Sequence, residues 1–140
     1  MSVYLDASAL VPLFIADLFT ARTDEFLRRK LPVLIVSDFA AAEFASAIAR
    51  RERAGDLTEG EAQGAFRAFD DWVARTARRA ETTAKDVAAA TALLRRLDLG
   101  LRTPDAVNIA IARRIGADLL TYDEKMATCA RMLGLSVLPG

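Results

Sequence analysis

Three observations predict an α/β fold with a central parallel sheet of about four or five strands and helices on both faces. Short aliphatic runs alternate along the chain with longer amphipathic segments, the pattern of parallel strands joined by right-handed helical crossovers. The aliphatic runs are near-continuous, as strands covered on both faces are; Val33 to Val36 is the clearest. The 140 residues carry no internal repeat, low-complexity segment or linker, so residues 1–140 are expected to form one domain.

The elements follow in order. Val3-Tyr4-Leu5 reads as a buried strand running straight into Asp6. Ala9 to Phe14 suits a short helix with Pro12 in its first turn, and Thr20 to Arg29 a second helix with its charges on one side. After the break at Pro32 comes the strand 33–36, then a long helix capped by Ser37 or Asp38, reaching about Arg53 and stopped by Gly55. Thr58 and Glu61 have the spacing of a capping box for a helix to about Thr76, with Phe66, Phe69 and Trp72 or Val73 as its apolar stripe. Arg79 to Glu81 fits a short strand. Thr83 caps a helix from about Lys85 to Leu97, ended by Gly100. Thr103-Pro104-Asp105 supplies a hydroxyl cap, a proline at the first helical position and a first-turn acid for a helix to Ile115. Leu119 to Thr121 is a strand, Glu124 to Leu133 a helix, and Leu135 to Leu138 a last strand.

Composition narrows the chemistry. The chain has no histidine and one cysteine, Cys129, which excludes zinc sites and Ser-His or Cys-His triads. Any metal must then be a hard cation on oxygen ligands. A single cysteine in a helical pattern points to a reducing cytoplasm. The longest early apolar run, Ala9 to Ala16, stops at Asp17, short of a membrane span, and no basic region precedes it as in a secretory signal. Lysine and arginine total 19 against 19 aspartate and glutamate, so the chain has no global electrostatic footprint for nucleic acid, though a local patch stays open.

Four acids then stand out by position. Asp6 and Asp123 follow strands, Asp105 opens a helix that starts at the strand carboxyl edge, and Glu43 lies two turns into the helix leaving the second strand. In open α/β sheets that edge is where ligands bind. Four carboxylates in one cleft need a counter-cation, and Mg²⁺ or Mn²⁺ with retained water fits. Such an ion generates hydroxide and neutralises a phosphodiester under attack. The plainer reading makes Asp6 and Asp123 helix caps and Asp105 a first-turn acid. Glu43 resists it: Phe39, Ala40, Ala42, Phe44, Ala45 and Ala47 surround it with apolar groups, so its carboxylate needs a partner.

The stretches VYLDASAL, VSDFAAAEFASAIAR, LGLRTPDAVNIAIA and LLTYDEKM, in this order over nearly the whole chain, resemble those of PIN-domain ribonucleases of the VapC toxin type. The resemblance implies a PIN-like three-layer sandwich and a Mg²⁺-dependent endoribonuclease with Asp6, Glu43, Asp105 and Asp123 as its acidic quartet. Asp6 and Asp105 would ligate metal directly, and Glu43 and Asp123 through water or a second ion. Ser8 and Thr121 match hydroxyl positions that orient the carboxylates. Asn108 stands where many relatives carry histidine, which bears on RNA contacts there. A homodimer, an RNA substrate and a cognate VapB-like antitoxin whose tail blocks the site are also implied. Arg50 and Arg102 are candidate phosphate contacts, against the simpler reading of a solvated helix end.

Three rivals use other chemistry or none. A haloacid-dehalogenase-like phosphatase also places an aspartate after its first strand, but wants a second one two residues on, where Ser8 stands, and a lysine that Lys30, Lys85 and Lys125 do not obviously supply. A receiver-type module wants two adjacent acids after the first strand, absent here. In a non-catalytic interaction domain the acids would be caps alone.

Overall fold

The computed structural model describes residues 1–139; the expected domain reaches Gly140, which lies outside the described residues. Five strands, β1 (Ser2–Leu5), β2 (Val33–Ser37), β3 (Ala77–Ala80), β4 (Asp118–Leu120) and β5 (Val137–Leu138), form one sheet in the order β3-β2-β1-β4-β5, every neighbouring pair parallel. Seven helices connect them: α1 (Ala7–Phe14), α2 (Thr20–Lys30), α3 (Asp38–Arg53), α4 (Glu59–Thr76), α5 (Ala84–Leu94), α6 (Thr103–Ile115) and α7 (Glu124–Met132). The chain grows outward from β1 to β2 and β3, then returns across the sheet through α5 and α6 to β4. The order therefore reverses beside β1, and the crevice at the carboxyl ends of β1 and β4 is the place where such sheets bind ligands.

Val3, Tyr4 and Leu5 of β1 are fully buried, as the middle strand of a covered sheet requires. The aromatic stripe of α4 serves the core. Phe69 stacks on Phe44 of α3 at 4.3 Å between centroids, and Phe14 of α1 meets Phe44, Phe69 and Trp72 edge-on at 5.5 to 5.6 Å. Those rings tie α1, α3 and α4 together.

Several boundaries differ from the sequence expectation. Helix α1 begins at Ala7 because Asp6 itself is the cap, which moves Pro12 beyond the first turn. Strand β3 lies two residues earlier than Arg79 to Glu81 would place it at its start, pairing Leu34 with Ala77 and Ser37 with Ala80. It is an edge strand with exposed Arg78 and Arg79, charges that protect an edge from mispairing but hide it from a hydrophobicity pattern. Helix α5 stops at Leu94, and β5 spans only Val137–Leu138. Finally, Thr103 is already helical: Arg102 is the cap residue, its backbone N–H donating to Asp105 Oδ2 at 3.3 Å.

Helices α5 and α6 are clamped by Asp86, 2% exposed, which accepts from Arg114 Nε at 2.7 Å and from a terminal guanidinium nitrogen at 3.0 Å. Burial opposes ionisation of Asp86, but the Arg114 fork and the Thr83 backbone and hydroxyl hold its carboxyl below the usual carboxylate range. A depressed folded-state value makes the clamp fully stabilising above the unfolded value near about pH 4 and weakens it as pH falls below. Asp86→Ala should lower unfolding free energy in urea at pH 7 by about 2–3 kcal/mol, the scale of a lost charged hydrogen bond, with the deficit shrinking towards pH 2. An unchanged midpoint at pH 7 would show that the clamp is idle. Among the described residues no helix is long and apolar enough to cross a membrane.

Candidate functional site

Each of the four acids is delivered by a strand end or a helix that starts near one. Asp6 follows β1 and caps α1, accepting from the Ala9 N–H at 3.1 Å. Ser8 Oγ donates to Asp6 Oδ1 and Thr121 Oγ1 to Oδ2, both at 2.7 Å. Each hydroxyl is itself oriented by a backbone donor, Tyr122 N–H to Ser8 at 2.9 Å and Asp123 N–H to Thr121 at 3.0 Å. One lattice of hydrogen bonds thus locks the ends of β1 and β4 together and fixes Asp6, which is 3% exposed.

Asp123 caps α7 by accepting from Met126 N–H at 2.9 Å. Asp105, also 3% exposed, sits in the first turn of α6. Glu43 projects from α3, half-buried, and accepts from Asn108 Nδ2 at 2.8 Å. The cap reading of Asp6 and Asp123 is therefore true as geometry, yet it does not separate them from the others: all four line one cleft of about 700 Å³. Arg50, Arg51 and Arg102 line the same cleft, Arg102 Nε standing 4.0 Å from Asp105.

The electrostatics show what this crowding does. Burial pushes the Asp6 carboxyl up to about 6; Ser8, Thr121 and the Ala9 N–H pull it back, and Glu43 adds repulsion. Glu43 is raised by burial against the Asn108 hydrogen bond, with Asp105 and Asp123 repelling it and Arg102 offsetting them. Asp105 is raised by burial too, with Asp123 repelling and Arg102 and Lys125 attracting. Raised carboxylates sharing a cleft mark a place short of positive charge.

The donor set suits a hard cation: carboxylate oxygens only, with no imidazole or thiolate. Among the described residues, however, no three acid side chains stand in ligating geometry around one point. The cleft accordingly fits an ion that keeps several waters and touches one or two carboxylates, the usual habit of Mg²⁺.

Asn108 is the residue whose place the sequence misled about. It is fully buried, so it contacts no RNA. Its Nδ2 donates to Glu43 and to the Pro104 carbonyl at 2.9 Å, while its Oδ1 accepts from the Tyr4 hydroxyl at 2.5 Å. Phe19 and Tyr122, unremarked in the sequence, stack at 4.2 Å along the cleft wall.

Comparison with known proteins places the fold and the family. Ribonuclease VapC46 of Mycobacterium tuberculosis is 29% identical over 140 residues, spanning 98% of this chain and 96% of the relative. The crystal structure of VapC20 from the same organism, a sarcin-ricin loop cleaving toxin, matches with a TM-score of 0.72 at 19% identity, over 90% of this chain and 93% of that one. VapBC2 from Rickettsia felis, solved on a DNA fragment from its promoter, matches with a TM-score of 0.70 at 16% identity, over 98% and 97%. These two carry the fold. The PIN domain family model matches residues 3–132, from the middle of β1 to the end of α7, and so takes in every acid of the cleft: the chain belongs to the PIN domain family.

Proposed function

We propose that this chain is a divalent-metal-dependent endoribonuclease, the toxin of a VapBC-type pair, acting in the cytoplasm on RNA and restrained by a VapB-like antitoxin. The observation that carries the proposal is the cleft itself. Four carboxylates, with no histidine or thiol beside them, share it with three arginines. The family membership, the ribonuclease relative and the likeness to VapC20 and VapBC2 support the same reading. A homodimer is proposed on the family resemblance. The phosphatase reading has no counterpart here, since Ser8 spends its hydroxyl on Asp6.

Asp6 and Asp105 would hold Mg²⁺ or Mn²⁺ directly, with Glu43 and Asp123 reaching it through water. Bound there, the ion supplies a hydroxide nucleophile and offsets charge on the phosphodiester. The chain's own groups do the rest. Ser8 and Thr121 keep both Asp6 oxygens fixed, so little reorganisation is left for the moment of reaction. Asn108 holds Glu43 from below. Arg50, Arg51 and Arg102 bring phosphates to a cleft that would otherwise repel them.

The decisive experiment uses purified protein and a structured RNA. Cleavage should require Mg²⁺ or Mn²⁺, stop in EDTA and return when metal is restored in excess. Full activity in protein verified to be metal-free would overturn the proposal.

A further inference from the structure

The Phe19–Tyr122 wall has a second side. Beyond it lies a groove of about 430 Å³ that shares Phe19, Tyr122 and Asp123 with the carboxylate cleft and runs towards β5. The wall is firmly set. The Tyr122 hydroxyl bonds buried Thr23 at 2.5 Å, and the Arg22 guanidinium lies 5.9 Å from the Tyr122 ring centroid, while Phe19 stacks on that ring. Arg22 also donates to the Pro139 carbonyl at 3.5 Å. Arg131, across the groove on α7, makes no side-chain hydrogen bond or ion pair among the described residues, and Arg22 forms no ion pair there. Asp123 and Glu124 also line the groove at the start of α7.

We propose that this groove is a second nucleotide compartment, which takes the single-stranded RNA leaving the carboxylate cleft. The inference rests on the nuclease reading above. An RNA cut in its interior continues on both sides of the scissile phosphate. Arg50, Arg51 and Arg102 serve the cleft on the α3 and α6 side. On the other side of Asp123 the chain must pass the Phe19–Tyr122 wall, and the first cations it meets are Arg22 and Arg131. Two arginines with spare donors are phosphate partners, and a guanidinium stacked on a ring presents its outer plane to a base. The groove is largely polar, which favours a polyanion over an amphipathic protein helix.

The test uses the full chain carrying Asp6→Asn, so that RNA is bound without being consumed, and a fluorescent single-stranded oligonucleotide titrated over a range of salt. Each phosphate contact contributes about 0.7 to the slope of log affinity against log salt. Arg131→Ala should reduce the slope by about 0.7 and Arg22→Ala/Arg131→Ala by about 1.4, each with a several-fold rise in Kd. A photoreactive 4-thiouridine oligonucleotide should cross-link to the peptide bearing Arg131. Circular dichroism confirms folding, and Arg131→Ala alone removes a side chain without partners. If unsubstituted protein cleaves RNA but both variants keep the full slope, the groove assignment fails and the nuclease reading stands. If unsubstituted protein neither binds nor cleaves RNA with Mn²⁺ present, both fail. A double variant that keeps its slope but escapes inhibition by a co-expressed antitoxin would assign the groove to a protein partner and overturn the RNA assignment.

Discussion

Asp6→Asn should reduce RNA cleavage on the order of 10³-fold while leaving the metal-free protein as stable as its parent or more so, a pair of outcomes that a purely structural cap does not produce. The loss of activity follows from removing the most deeply fixed carboxylate of the cleft. The gain in stability follows from linkage. Burial raises Asp6 to about 6 in the folded chain, against an ordinary value of 3.8. Between these two values the folded state binds the proton that the unfolded state releases, so stability falls as pH rises through the window from about 4 to about 6. At pH 7 the ionised Asp6 costs the fold on the order of 2–3 kcal/mol. Asparagine removes that charge and keeps the geometry. Its carbonyl can accept from the Ala9 N–H and Ser8, and Thr121 can turn its hydrogen to Ser8 Oγ, 3.1 Å away, to accept from the new amide. In EDTA at pH 7 the variant should melt about 5–10 °C higher, and the two curves should meet near pH 4. Asp6→Ala, which loses the cap, should melt lower than Asp6→Asn at every pH. A variant that melts clearly below its parent in metal-free buffer at pH 7 would make Asp6 a structural residue and remove the reason to place it at a reacting centre.

The sequence made Asp6, Asp105 and Asp123 legible because topology alone sends acids after strands, and at helix starts, to one sheet edge. Glu43 was legible by a different route: an acid among alanines and phenylalanines requires a partner. What that partner was could not be read, because Asn108 lies 65 residues away on another helix and nothing local marks it. A still longer separation hid the Phe19–Tyr122 pair, which forms only when the α1–α2 connection meets the end of β4. Strand β3 blurred for the opposite reason. Its pairing to β2 is carried by the backbone, while its side chains follow the demands of an exposed edge.

Asn108→Leu should lower kcat by about 10- to 100-fold with little change in the KM for RNA, although Asn108 touches neither solvent nor substrate. Its amide orientation is settled by its neighbours. The Pro104 carbonyl can only accept, so Nδ2 faces it, and the second hydrogen of that nitrogen goes to Glu43. Oδ1 accepts from Tyr4, whose hydroxyl oxygen lies 2.7 Å from Ser37 Oγ. Ser37 Oγ accepts from the Ala40 N–H, which leaves its own hydrogen for Tyr4. Donors thus run one way, from Ser37 through Tyr4 and Asn108 to Glu43, and each bond polarises the next. The chain ends in a carboxylate held at one position by a neutral group, which adds no charge to a cleft already crowded with acids. Leucine has similar bulk and no donor, so Glu43 is freed to swing towards water, and the Pro104 carbonyl loses its side-chain partner. Some loss of stability, about 1–3 kcal/mol, is expected from that carbonyl and from Tyr4. Stability alone would leave the response to metal unchanged. The distinguishing readout is therefore the rise in melting temperature on adding Mn²⁺, which should shrink in Asn108→Leu and recover in Asn108→His, where a ring N–H can again donate to Glu43. Equal metal-induced shifts in all three proteins, or a folded Asn108→Leu with the parent's kcat, would show that Glu43 needs no such support.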